Sequence, residues 1–196
     1  MLTLREFSGP DIGPYLDDLG GLRIAVFREF PYLYQGTLAY ERKYLATYLK
    51  SPRSLVVLAF DGDRVVGATT CAPLADEEPE FQEPFLREGY EVADVFYLAE
   101  SVLLPEYRGG GTGREFFRRR EAQAERLGGF RWTAFCAVER PADHPLRPAD
   151  YKPLHGFWQR MGYTRHPELH CEFTWKEIGE PGESPKPMTF WLKERG

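Results

Sequence analysis

The chain contains little cysteine and histidine, no long apolar run and a single basic run. Its three cysteines, Cys71, Cys136 and Cys171, are an odd number without a C-x-x-C pair, so we expect reduced core residues. The four histidines are scattered without ligand spacing, and the sequence therefore predicts no metal site. The longest apolar run, residues 55–60, is far shorter than the roughly 20 residues that span a bilayer. We expect no membrane partner.

The amino terminus and the net charge narrow the class of protein further. Residues 1–5, MLTLR, lack the basic start, apolar stretch and cleavage site of a secretory signal, which predicts a cytoplasmic protein. The formal net charge of -5 disfavours nonspecific nucleic-acid binding and favours cationic small substrates such as amines. Arg118, Arg119 and Arg120 lie among glutamates on a predicted helix, a pattern typical of a solvated face. We expect no nucleic-acid partner.

Length and composition predict one domain over residues 1–196. A chain of 196 residues can bury roughly 70% of its unfolded surface, so its stability requires no disulfide or metal. Hydrophobic residues make up 42% and charged residues 28%, which are ordinary values for a globular protein.

Apolar periodicity predicts a chain that mixes strands and helices. An Asp-Gly step at residues 61–62 predicts a hairpin between two of the strands. A strand, helix and strand between residues 95 and 138 imply one parallel pairing. Segments 76–91 and 178–187 contain prolines and are predicted to be irregular. The predicted strands are 2–7, 55–60, 65–71, 95–104, 131–138, 169–176 and 188–193, and the predicted helices are 11–27, 38–49, 114–127 and 154–161.

A glycine-rich segment, Arg108–Gly113, separates the predicted strand 95–104 from the predicted helix that follows. Its four glycines allow a tight turn that presents backbone N–H groups, and a helix N-terminus favours an anion. A nucleotide P-loop would need a lysine after the glycines, and a dinucleotide loop would need a third glycine where Arg114 or Phe116 stands. We therefore expect a different phosphate-bearing cofactor, with a plain flexible turn as the alternative.

The order R-x-x-G-x-G, preceded by Leu104-Pro105-Glu106-Tyr107, resembles the pyrophosphate loop of the GNAT superfamily of N-acetyltransferases, which bind acetyl-coenzyme A. Residues 157–163 look more loosely like the family's aromatic-x-x-x-Gly-aromatic helix end. The resemblance covers most of residues 55–193. It implies an α/β (α+β) GNAT fold with a single mixed, mostly antiparallel, splayed sheet of about seven strands flanked by about four helices. Before residue 55 the match is in element order alone.

The resemblance implies transfer of an acetyl group from acetyl-coenzyme A to a primary amine by direct attack in a ternary complex. The implied partner is a small-molecule amine rather than a protein, and a homodimer is possible because such families often form them. A noncatalytic coenzyme A-binding sensor or interaction module is the alternative. Leu103 N–H is the implied oxyanion donor. The implied cofactor contacts are Val102, Leu103, Leu104, Arg108, Gly109, Gly110, Gly111, Thr112, Gly113 and Arg114.

Glu100 is a charged residue in the apolar predicted strand, and charged residues are rarely buried without a purpose. The resemblance implies that Glu100 accepts the amine proton, directly or through water, or anchors the amine. A satisfied structural carboxylate is the alternative. Tyr32, in the aromatic segment 30–34 between the first two helices, is a candidate substrate contact, although such clusters are also typical of plain core.

The proton for the leaving thiolate is harder to assign. Members of the family often use a Tyr in the last short helix, but the matching position here is Trp158, and an indole is no acid at neutral pH. Tyr151, His155 or Tyr163 is the substitute, or water is, or the protein binds coenzyme A without transfer. We predict Tyr163 as the acid.

Overall fold

The computed structural model describes residues 2–196, in which eight strands form one sheet and five α-helices lie against it. None of the helices in this range has the length and apolarity needed to span a bilayer. The strands are β1 (Thr3–Phe7), β2 (Leu55–Asp61), β3 (Arg64–Pro73), β4 (Val95–Tyr97), β5 (Ser101–Leu103), β6 (Trp132–Val138), β7 (Thr164–Lys176) and β8 (Glu183–Glu194). The helices are α1 (Leu16–Phe27), α2 (Leu38–Lys50), α3 (Pro79–Arg87), α4 (Thr112–Leu127) and α5 (His155–Arg160).

The sheet is mixed and mostly antiparallel, as predicted. Its strand order is β1-β2-β3-β4-β6-β8-β7, and β5 pairs with β3. The pairing of β4 with β6 is parallel, and α4 forms the crossover between them, which confirms the predicted strand, helix and strand unit. The predicted hairpin at residues 61–62 joins β2 to β3.

The helices are divided between the two faces of the sheet because successive strand side chains point in opposite directions. Val95 and Tyr97 of β4 pack in one cluster with aromatic residues of α3. Phe96 and Leu98 belong to the other face, where α4 packs. Ala72 of β3 pairs with Tyr97 and packs in the cluster that contains α1 and α2. Helices α1, α2 and α3 therefore share one face, and α4 and α5 cover the other.

The predicted strand 95–104 is interrupted. Residues 95–97 pair with β6 and residues 96–97 also pair with β3, whereas residues 101–103 pair with β3 alone within residues 2–196. Between them, Leu98 N–H still donates to Ala134 O at 2.7 Å, and the chain then leaves β6. This break produces the splay between neighbouring strands that the family resemblance implied.

Two proline-containing segments are more regular than predicted. Residues 79–87 form α3, because Pro79 occupies the first helical turn and Phe81 and Phe85 lie one turn apart, both buried. Strand β8 begins at residue 183 rather than 188. Pro185 and Pro187 are tolerated there because β6 pairs with β8 only from Met188 onward, so the prolines lie where one side of β8 is an edge.

Candidate functional site

The glycine-rich segment has the geometry of an anion-binding turn at a helix start. Gly109 and Gly111 have φ values of 87° and 90°, in the left-handed region that favours glycine. Helix α4 begins immediately afterwards at Thr112, and Gly111 O accepts the Arg114 N–H at 3.0 Å. A Cβ built at Gly111 meets nothing within 4 Å in the described part of the chain. The turn is open, and its N–H groups and the helix N-terminus fit a diphosphate.

Arg108 connects this turn to two other parts of the site. Its Nε donates to Leu103 O at 2.9 Å, and its Nη1 lies 2.8 Å from Glu29 Oε2. Both side chains of the ion pair are partly exposed, so water weakens this pair. A phosphate placed at the turn would compete with Glu29 for the guanidinium.

Strand β5 pairs with β3 along one edge, and its other edge faces the gap that opens between β5 and β6. Glu100 O and Leu104 N–H are both bonded to β3, and backbone groups alternate in direction along a strand. The groups of Leu103 therefore face the opposite side, and the Arg108 bond to Leu103 O confirms that direction. Because β6 pairs with residues 95–97 and not with β5, Leu103 N–H points into the gap where β4 and β6 separate. This geometry suits a donor to a developing oxyanion.

A cavity of about 150 Å³ lies under α1, α2 and α3, and Glu100 and Ala99 form part of its wall. Its other contributors come from α1, α2, the loop between them, α3 and strands β4, β6, β7 and β8. The wall is mostly aromatic. Its rings are Phe27, Tyr32, Tyr34, Tyr40, Tyr44, Phe81, Tyr97, Phe173 and Trp175.

Two carboxylates share one buried guanidinium at this cavity. Arg23 Nε donates to Glu41 Oε2 at 2.5 Å, and Arg23 Nη1 lies 2.8 Å from Glu100 Oε2. Tyr34 Oη donates to Glu41 Oε1 at 2.7 Å, and Tyr44 Oη donates to Glu100 Oε2 at 3.4 Å. Glu100 is 6% exposed, and its Oε1 has no hydrogen-bond partner within residues 2–196. The predicted strand acid is thus buried, paired and incompletely satisfied.

The aromatic loop, which we define as residues 28–36, is held by hydrogen bonds from two side chains that follow it in the chain, Arg140 and Trp175. Arg140 Nε donates to Pro31 O at 2.7 Å, Arg140 Nη2 donates to Tyr32 O at 3.2 Å, and Trp175 Nε1 donates to the same oxygen at 3.1 Å. Arg140 is in turn paired with Glu177. These contacts hold Tyr32 at the cavity, whose wall it shares with Glu100. Its role as a substrate contact stays a prediction.

Glu77 is a further buried carboxyl near the Arg23, Glu41 and Glu100 network. Burial, together with the negative charges of Glu100 and Asp76, raises the pKa of Glu77 to about 8, and Glu77 Oε1 has no partner in the described range. The folded protein therefore retains a proton that the unfolded chain releases near pH 4.5. The stability that the neutral carboxyl contributes is complete below pH 4.5 and is lost as the pH rises to about 8.

Glu77→Gln is expected to remove this pH dependence, because the amide is neutral at every pH. The variant should unfold with a free energy on the order of 2 kcal/mol above that of the wild type at pH 9, and the two should converge toward pH 5. Urea denaturation at several pH values measures this. Glu80→Gln, at an exposed position on α3, is the control. A wild-type slope retained in Glu77→Gln would contradict the assignment.

The structure does not support Tyr163 as the acid. Tyr163 is 1% exposed and packs against Phe117 and Phe135 on the α4 face, and it does not line the cavity. Its phenol donates to Glu121 Oε1 at 2.9 Å and lies 3.1 Å from Thr133 Oγ1. Burial raises its pKa, which makes the phenol a weaker acid.

Tyr163→Phe is accordingly expected to lower the free energy of unfolding by about 1 kcal/mol, the usual cost of a lost buried hydrogen bond, and to leave unchanged the acetyl transfer that the family resemblance implies. Urea denaturation and a turnover assay on the same preparation measure the two effects. Tyr151→Phe is the companion variant. Slower transfer by a folded Tyr163→Phe protein would restore the acid role.

The other two candidate acids, Tyr151 and His155, do not line the cavity either, and nor does Trp158. Trp158 packs against Phe135 and Trp191, and the His155 ring lies 5.3 Å from that of Trp191. The Tyr151 ring packs edge-on against Phe30 of the aromatic loop at 4.7 Å.

Several cavity residues were missed from the sequence. Arg23 is the charged residue in the apolar run 19–27, and this isolation is a signal that could have identified it. Tyr40 and Tyr44 are one helical turn apart on α2, a pattern that also fits plain core. Phe173 and Trp175 alternate along β7, but nothing in the local sequence shows that this strand reaches the cavity.

Comparison with known proteins defines the class. The sequence model of the acetyltransferase (GNAT) family matches residues 22–163. This span covers the cavity residues of α1, the splayed strands and the glycine turn. The chain therefore belongs to the GNAT acetyltransferase family, which confirms the resemblance found in the sequence. A search of curated proteins gives no match.

Solved structures share the fold over nearly the whole chain. An acetyltransferase from Thermus thermophilus is 18% identical, with a TM-score of 0.58, and the match covers 100% of this chain and 97% of that one. Ribosomal-protein-alanine N-acetyltransferase from Brucella melitensis is 15% identical, with a TM-score of 0.62 and coverages of 98% and 99%. The PaiA N-acetyltransferase from Thermoplasma acidophilum, solved in complex with coenzyme A, is 12% identical, with a TM-score of 0.58 and coverages of 100% and 99%. The predicted GNAT fold is confirmed.

Proposed function

We propose that the protein transfers an acetyl group from acetyl-coenzyme A to a primary amine of a small molecule, by direct attack in a ternary complex. The observation that carries this proposal is continuity along one short segment. Glu100 borders the cavity, Leu103 N–H faces the splay three residues later, and the glycine turn follows at residue 108. A carboxylate, an oxyanion donor and an anion-binding turn thus follow one another along the chain within residues 100–113.

Each group has a distinct task in this proposal. Backbone N–H groups of residues 109–113 and the Arg108 guanidinium hold the diphosphate of the coenzyme. The coenzyme supplies an acetyl group activated as a thioester. Leu103 N–H donates to the carbonyl oxygen as negative charge develops there. The Glu100 carboxylate accepts the proton of the attacking amine, directly or through water.

The proton that neutralises the thiolate comes from water in this proposal. Tyr163 is enclosed by its own hydrogen bonds, and Trp158 and Tyr151 pack against other rings. A thiol has an ordinary pKa of about 8.5, so a thiolate is a good enough leaving group to depart before solvent protonates it.

A noncatalytic coenzyme A sensor remains the alternative, and Trp158 in place of the family's usual Tyr is the observation that favours it. A thiol-release assay with acetyl-coenzyme A and a panel of primary amines separates the two. Amine-dependent release of free thiol, with the acetylated amine identified by mass spectrometry, supports the enzyme. Tight coenzyme binding without release for any amine supports the sensor.

A further inference from the structure

The charges around the cavity that Glu100 borders restrict which ligands it can bind. Arg23 carries one positive charge, and Glu41 and Glu100, which it bridges, carry two negative charges. The nearby cations Arg140 and Lys186 are paired with Glu177 and Glu180 and do not compensate this excess. The cavity wall thus favours a ligand with one positive charge.

The Glu100 carboxylate provides the position for that charge. Glu100 is more than nine-tenths buried, and one of its oxygens has no partner among the described residues. An unpaired carboxylate oxygen in a buried site is costly unless a donor is supplied. An ammonium group supplies donors and the missing charge. The electron-rich faces of the surrounding rings also attract a cation.

The polar groups of the wall are largely occupied by one another. The Tyr34 phenol donates to Glu41, the Tyr44 phenol to Glu100, and the Tyr97 phenol lies 3.1 Å from Cys136 Sγ. Arg23 is paired with both carboxylates, so its single positive charge is already more than balanced. A carboxylate on the ligand would therefore meet the net negative charge of this group and be repelled.

The volume of the cavity limits the size of the apolar group that the ligand can carry. Its volume is about 150 Å³, and a dry apolar cavity of about that volume holds one benzene ring in another protein. An unbranched short amine would leave most of the aromatic wall uncovered.

From these observations we propose that the acceptor is a monocationic primary amine that carries one ring-sized apolar group and no carboxylate, with its ammonium on Glu100. This inference names the substrate class of the proposed function and rests on it for turnover. Binding of such an amine on Glu100 can be measured without turnover.

The test compares ligands that differ in one feature. With wild-type protein and acetyl-coenzyme A, kcat/KM for 2-phenylethylamine should exceed that for ethylamine by at least about 10-fold, the effect of burying a ring. It should exceed kcat/KM for phenylalanine by at least about 100-fold, because the added carboxylate is unpaired. Equal rates for phenylalanine, or a preference for ethylamine or for a diamine such as putrescine, would overturn the substrate class.

Calorimetry separates this inference from the proposed function. The coenzyme A-bound protein should bind 2-phenylethylamine at least about 10-fold more tightly than the neutral 2-phenylethanol, and Glu100→Gln should remove most of that preference. If 2-phenylethylamine binds in this way without turnover, the ligand class stands and the enzyme proposal fails. If other amines are acetylated while 2-phenylethylamine neither binds nor reacts, the enzyme proposal stands and the substrate class is wrong.

Discussion

Glu100→Gln is expected to slow acetyl transfer by about 100-fold or more at neutral pH while coenzyme binding changes little. The amide keeps the shape of the side chain and can still accept from Arg23 and Tyr44, but it cannot take a proton from the amine. Steady-state kinetics with a saturating amine and calorimetric titration of coenzyme A measure the two effects separately.

A matched control distinguishes catalysis from structure. Glu91→Gln makes the same chemical change at an exposed position nine residues earlier in the chain, and it should leave turnover unchanged. Circular dichroism and the melting temperature show whether Glu100→Gln is folded. A folded variant with wild-type turnover between pH 6 and 9 would remove Glu100 from the mechanism, and a variant that fails to fold would support a purely structural carboxylate.

The parts of the site that the sequence predicted are those governed by local chemistry. The glycine turn could be located because positive φ values favour glycine at fixed positions, and Gly109 and Gly111 have such values. Glu100 could be singled out because a carboxylate inside an apolar strand is unusual wherever the strand lies.

The parts that could not be predicted depend on distant segments. Glu100 is held by Arg23 from a helix about 80 residues earlier, and Phe173 and Trp175 reach the cavity from β7. No local pattern records such a contact. The same limit explains why the environment of Tyr163 could not be predicted. Its position after Gly162 gives no indication that the ring packs on the face of the sheet covered by α4 and that its phenol bonds to Glu121.

The errors in secondary structure have a related cause. Pro79 and Pro84 made residues 76–91 look irregular, yet burial of Phe81 and Phe85 stabilises α3 across one proline in the helix interior. This tertiary packing brings Phe81 to the cavity. Local propensity was outweighed by burial, which is the usual reason for such failures.

Gly111→Val is expected to abolish coenzyme binding, with Kd weakened by at least about 100-fold, while the protein stays folded. Gly111 has a φ of 90°, and a β-branched residue adopts that region only at a cost of about 1–3 kcal/mol. Since a Cβ at this position has open space around it within residues 2–196, the loss comes from a changed backbone path and not from a clash inside the protein. Reoriented N–H groups can no longer converge on the diphosphate.

Gly179 provides a control with nearly the same backbone geometry. Its φ is 88°, a Cβ there also meets nothing within 4 Å of the described chain, and it belongs to the connection between β7 and β8 rather than to the glycine turn. Gly179→Val should therefore lower the melting temperature by about as much as Gly111→Val does and still bind coenzyme A normally. Calorimetry with coenzyme A on both variants decides the matter. Equal binding by the two would show that the diphosphate is held elsewhere, and a smaller loss in Arg108→Ala than in Gly111→Val would show that the backbone N–H groups contribute more than the guanidinium.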